Sequence, residues 1–168
     1  MRLFVAIDFP QELKDALASV IASLKAQGAS ANFTRRENMH LTLAFIGETP
    51  RVSDAVAALE SVKAVPFRLA LDGSGCFGDL LWVGAHRNPD MQRLAEKVRD
   101  ALRGAGFNID PKPFKPHVTV ARRLVCEGKP RLDVPRVSAP VADFVLMRSD
   151  RIDGRLVYRA VKRFPLSL

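Results

Sequence analysis

Apolar residues recur along this chain with two periods, and the switches between them mark out its elements. Arg2 to Ile7 is a short apolar run that predicts a first strand. Pro10 suits the first turn of a helix, and Leu13, Leu17, Val20, Ile21 and Leu24 fall on one helical face before Gly28 closes it. Leu41 to Ile46 reads as a strand ending at Gly47, with Leu41, Leu43 and Phe45 on the core side by strict alternation. Thr49-Pro50 supplies a cap and a first-turn proline for a second helix, whose stripe is Val52, Val56, Leu59 and Val62.

Phe67, Leu69 and Leu71 alternate with Arg68 and Ala70 in a third strand, and Gly73-Ser74-Gly75 and Gly78-Asp79 read as turns. Leu80 to Ala85 is a nearly continuous apolar strand. Asn88-Pro89-Asp90 opens a third helix, with Met91, Leu94, Val98 and Leu102 buried. A proline-stiffened stretch, Pro111 to Pro116, leads into a further strand at His117. Glu127 to Pro140 reads as a loop, and two final strands, Val141 to Met147 and Leu156 to Lys162, flank a turn at Asp153-Gly154. So many neighbouring strands argue for an α+β fold with antiparallel pairing over a doubly wound parallel sheet.

At 168 residues, 48% hydrophobic and 26% charged, the chain suits one ordinary globular domain or two small lobes sharing a core. No apolar run approaches the roughly 20 residues that span a bilayer, so no membrane partner is expected. The opening residues hold too few apolar positions before Asp8 for a signal-peptide core, which points to a cytoplasmic protein. Cys76 and Cys126 are isolated and read as free thiols, one or both buried. The net charge of +8 thickens at Arg35-Arg36, Arg122-Arg123, Arg148 to Arg159 and Lys162-Arg163, and beside suitable chemistry it favours a phosphate-bearing substrate.

That chemistry lies in two four-residue words, His40-Leu41-Thr42-Leu43 and His117-Val118-Thr119-Val120, 77 positions apart. The chain has only three His and four Thr, and the chance of two such His-x-Thr spacings is about 0.002. In a strand, residues i and i+2 share a face, so each word presents an imidazole beside a hydroxyl while its aliphatic residues enter a core. The third histidine, His86, lies in Gly84-Ala85-His86-Arg87-Asn88-Pro89 without a Thr partner and reads as a surface turn residue. No HxH or HxxxH spacing supports a zinc or di-metal site. Two such His-x-Thr words look like two halves of one active site.

The paired words resemble the two-histidine (2H) phosphoesterase superfamily, and in particular its bacterial and archaeal RNA 2',3'-cyclic phosphodiesterase branch, also called LigT-like 2'-5' RNA ligases. Arg2 to Ile7 looks like the opening strand of that branch, His40 to Gly47 like its first motif, Phe114 to Arg122 like its second, and Gly154 to Pro165 like its closing strand. The resemblance implies one bilobed domain over residues 1–168, in which two pseudo-symmetric lobes with mainly antiparallel sheets face a central cleft and the helices lie outside. It implies metal-independent attack without a cofactor, on RNA or nucleotides bearing 2',3'-cyclic phosphate ends, by a chain acting as a monomer. Hydrolysis would leave a 2'-phosphomonoester, and reversal would make a 2'-5' bond.

By the same resemblance His40 would be the proton donor and His117 the acceptor. Thr42 and Thr119 would hold phosphate oxygens, and Arg122, five residues after the second His, would join them. Strict alternation instead puts Arg123 on the His117 face, so either the strand bulges or ends near Ala121, or Arg123 is the ligand. Phe45, though an attractive base-stacking residue, falls with the core positions. Rival readings are a phosphodiesterase for an ADP-ribose cyclic phosphate or for 2'-5' oligonucleotides, and a non-catalytic RNA-binding module.

Overall fold

The computed structural model describes residues 1–168 as two antiparallel sheets backed by three helices. In chain order the elements are β1 (Arg2–Asp8), α1 (Gln11–Ala26), β2 (Ser30–Phe33), a 3₁₀ turn (Arg36–Asn38), β3 (His40–Glu48) and α2 (Val52–Glu60). They continue with β4 (Phe67–Phe77), β5 (Leu80–Ala85), α3 (Pro89–Gly104), β6 (His117–Val125), β7 (Ser138–Val141), β8 (Asp143–Ile152) and β9 (Arg155–Pro165). The first sheet has the order β3-β1-β8-β9 and the second β2-β6-β5-β4-β7. This is the expected α+β arrangement of two lobes, with one His word in each sheet.

The core explains why the helices lie outside. One continuous cluster of 39 buried apolar residues runs beneath both sheets, joining Leu3, Val5 and Ile7 of β1 to Leu17 of α1, Leu94 and Val98 of α3, and Val118 and Val120 of β6. The helix α1 packs on β6 and β7 of the second sheet, while α3 packs against α2 and β3. The helix stripes read from the sequence are therefore the faces that bury. At the start of α3, Asn88 Oδ1 accepts the backbone N–H of Asp90 at 2.9 Å, the cap its residue type calls for. No helix is long and apolar enough to cross a membrane.

Several local expectations need correction. Gly73-Ser74-Gly75 is not a turn but part of β4, which runs on to Phe77 and carries a register irregularity between Leu71 and Ser74. The expected loop at 127–140 contains the start of β7, and β2 also went unread. The helix α2 begins at Val52, not Pro50, and Thr49 Oγ1 accepts the N–H of Arg51 at 3.0 Å just before it. Both cysteines are free, but Cys76 is exposed and Cys126 half-buried.

Candidate active site

The strands β3 and β6 run close together at the seam between the sheets, near enough for the charge of His117 to act on His40. The rings are held alike. His40 Nδ1 donates to the carbonyl of Asn38 at 2.8 Å, and His117 Nδ1 donates to the carbonyl of Lys115 at 2.7 Å. A carbonyl only accepts, so Nδ1 keeps its proton in either charge state and Nε2 is the nitrogen that gains or loses one. In β3 that nitrogen lies 3.0 Å from Thr42 Oγ1. His86, by contrast, is exposed, with Nδ1 3.5 Å from Asp72 Oδ2.

Both words break alternation at the same place. Opposite the β1 step from Ala6 to Val5, β3 advances from Thr42 to Ala44, so Leu43 is an extra residue. Opposite the β5 step from Trp82 to Leu81, β6 advances from Thr119 to Ala121, so Val120 is extra. Each bulge buries two successive residues, Leu43-Ala44 and Val120-Ala121, and returns the fifth residue after the His to the cleft face. That residue is Arg122 in one word and Phe45 in the other. Arg122 is exposed and its charge reaches the Tyr158 hydroxyl, whereas Arg123 follows with φ of 55°, in the left-handed region. The placement of Phe45 in the core is overturned: it is 65% exposed.

An aromatic cluster that composition did not reveal surrounds His40. Phe4 and Tyr158 lie 4.9 and 5.1 Å from its ring centroid and 5.0 Å from each other, and Phe45 stands 6.3 Å from Phe4. This packing desolvates His40 and lowers its pKa from the ordinary imidazole value. The Asn38 carbonyl and Asp8, its partner across the β1–β3 ladder, push the other way, while His117 and Lys14 add to the lowering. Asp8 is itself held by Lys14 at 3.4 Å and Arg163 at 2.9 Å. Burial raises the Tyr158 hydroxyl pKa, so it remains a donor at neutral pH.

Arg99 ties the two words together from behind. Its Nε donates to the Leu43 carbonyl at 3.0 Å and its Nη1 to the Lys112 carbonyl at 2.7 Å, with the guanidinium 5.5 Å from the Phe114 ring. It thus joins the β3 bulge to the leader of β6. Sequence gave no sign of this, because an arginine on an amphipathic helix looks like a solvated one. No group of three or more His, Cys, Asp or Glu side chains is placed to hold a metal ion.

The profile of the family described as the 2'-5' RNA ligase superfamily matches residues 11–153. The chain belongs to this superfamily. A Thermotoga maritima protein named RNA 2',3'-cyclic phosphodiesterase is 34% identical, over 96% of this chain and 93% of its own length. A protein of the same name from Geobacillus stearothermophilus is 29% identical over 97% of the chain, which spans only 56% of that relative. The apo crystal structure of Escherichia coli LigT superposes with a TM-score of 0.85 at 28% identity, covering 99% of this chain and 98% of that one. Membership of the superfamily is therefore carried by the whole fold, including the opening strand β1 and the closing strand β9, which lie outside the profile match.

Proposed function

We propose that this chain is an RNA 2',3'-cyclic phosphodiesterase of the superfamily, opening 2',3'-cyclic phosphate ends to 2'-phosphomonoesters with His40 and His117 as its acid and base. The observation that supports it best is the pair of imidazoles, each with Nδ1 committed to a carbonyl so that proton transfer falls to Nε2, which in His40 lies 3.0 Å from Thr42 Oγ1. The relatives' shared name supports the substrate, as does the E. coli LigT structure complexed with 3'-AMP, which superposes at a TM-score of 0.83. Water attacks phosphorus as one Nε2 takes its proton, and the departing ribose oxygen takes a proton from the other. Thr42, Thr119 and Arg122 are the donors to the non-bridging oxygens, where charge grows in the transition state.

The unaltered protein is expected to convert 2',3'-cyclic AMP to adenosine 2'-monophosphate after exhaustive dialysis against EDTA, followed by phosphorus NMR. Activity lost under EDTA and restored by one divalent ion would sink the two-histidine mechanism. Absence of turnover under any condition would favour an RNA-binding module.

His40 is taken as the acid. An acid must enter the reaction protonated, whereas burial in the free protein holds His40 towards the neutral form. A phosphodiester anion between the rings supplies the opposing field. In consequence kcat/KM, read on the free enzyme, should fall with rising pH through a limb below the ordinary value of 6.5, and the corresponding limb of kcat should lie higher. A nitrophenyl leaving group needs little protonation, so on a nucleoside 2'-phosphate nitrophenyl ester His40→Ala should regain much of its lost rate and His117→Ala should not. Rescue of His117→Ala alone would exchange the two roles.

Phe45, open on the cleft face beside the His40 cluster, suits the base of the cyclic nucleotide. Base stacking on an aromatic side chain contributes about 1–3 kcal/mol, so Phe45→Ala should raise KM for 2',3'-cyclic AMP by about five- to a hundredfold. Because the ring is exposed, the melting temperature should hardly move. An unchanged KM would remove Phe45 from base binding.

A further inference from the structure

On the second sheet, a second pair of aromatic rings lies beside His117 and is not used by the reaction just described. Trp82, directly opposite Thr119 on the neighbouring strand, has its ring 6.2 Å from that of His117. Phe77 continues the surface outward, 5.9 Å from Trp82, tilted 34° to it and 65% exposed. The floor under the indole is bare backbone. A Cβ on Gly75 would lie 2.2 Å from Trp82 Cζ2, and one on Gly84 would lie 3.5 Å from Cζ3 and 2.5 Å from the Asp72 carbonyl oxygen. The buried Nε1–H of Trp82 finds no acceptor in the chain, although a buried Trp normally has one.

We propose that Trp82 and Phe77 form a platform for the nucleobase of a second nucleoside, the one whose 5'-oxygen takes the place of water beside His117. The inference rests on the reaction proposed above and on His117 as its base. If His40 protonates the departing O3', the cyclic nucleotide lies on the His40 side, with its base near Phe45. The attacking oxygen then enters from the His117 side, and a nucleoside attached to it extends away from His40 over β5 and β4. The apolar surface there is these two rings. In that step the 5'-hydroxyl oxygen bonds to phosphorus and gives its proton to His117. The P–O3' bond breaks, O3' takes a proton from His40, and the product is a 2'-5' phosphodiester. One aromatic wall beside each histidine makes the cleft fit a junction of two nucleosides rather than a mononucleotide alone.

Trp82 is the only tryptophan in the chain, so its fluorescence reports directly on this surface. In the His40→Ala protein, where turnover is suppressed, 2'-5'-linked diadenosine monophosphate should quench Trp82 and adenosine 2'-monophosphate should not. With 2',3'-cyclic AMP and added adenosine, Phe77→Ala should lower the yield of 2'-5' dinucleotide relative to hydrolysis by about tenfold, within the range one stacked base supplies. Hydrolysis of 2',3'-cyclic AMP itself should stay within about twofold. Equal quenching by the mononucleotide, or equal loss of both reactions in Phe77→Ala, would overturn the assignment by placing the cyclic nucleotide's own base there. Failure of the function reading is distinct, since the unaltered protein would then turn over no cyclic phosphate, while the quenching measurement needs no turnover.

Discussion

Replacing either motif histidine by alanine should lower kcat on 2',3'-cyclic AMP by on the order of 10²–10⁴, the range one general acid or base supplies. The size follows from how the rings are held. Each Nδ1 is spent on a carbonyl, of Asn38 or of Lys115, so removing the side chain removes one aimed Nε2, and at His40 also its contact with Thr42 and its packing on Phe4 and Tyr158. Stability should suffer modestly. His117 is exposed, and His40 loses a hydrogen bond of about 1 kcal/mol together with its place between Phe4 and Tyr158. Melting curves then separate a chemical loss from an unfolded protein. Because the two groups act in one transition state, the double variant should fall little further than the worse single one. His86→Ala supplies the control, since that ring is exposed and meets only Asp72 at the edge of hydrogen-bond distance. Loss of turnover in His86→Ala with a motif variant still active would refute the two-word site.

The parts of this fold that could be read from sequence are those in which one strand or helix carries its own signal. The three helix stripes, the antiparallel character and the two His words are of that kind. Ser30–Phe33 and Ser138–Val141 are not. They lie at the two edges of the second sheet, each paired on one side only, and neither carries a long apolar run. Pro140 is tolerated in β7 for the same reason. The glycines of β4 misled because glycine usually marks a turn, whereas Gly75 is required where the Trp82 ring lies on the backbone.

Phe45 failed for a subtler reason. A bulge belongs to the pairing of two strands, so alternation within β3 cannot reveal it. A signal did exist in the repeat itself. Aligning His40-Leu41-Thr42-Leu43-Ala44-Phe45 with His117-Val118-Thr119-Val120-Ala121-Arg122 sets Phe45 against an arginine. An arginine is almost never buried without a partner. The fifth position is thus open in the second word, and by the repeat in the first.

The same bulge decides what to expect of the neighbouring arginines. Arg122→Ala should reduce kcat/KM by on the order of 10²–10³, the loss seen when one donor to a developing oxyanion is removed. Arg123→Ala should change it by less than about threefold, as expected of an exposed charge acting through water. The difference comes from one residue of register. With Val120 extra in β6, Arg122 returns to the face of His117 and Thr119, within charge range of Tyr158. Arg123 follows with φ of 55°, in the left-handed region, where the regular strand is broken. Arg122→Lys should recover only part of the loss, because a lysine keeps the charge but not the planar pair of N–H donors that two phosphate oxygens accept. Raising the salt concentration should shrink any effect of Arg123→Ala and leave most of that of Arg122→Ala. A larger loss in Arg123→Ala than in Arg122→Ala would mean that β6 runs in regular alternation past Val120 and that the phosphate ligand lies one residue later.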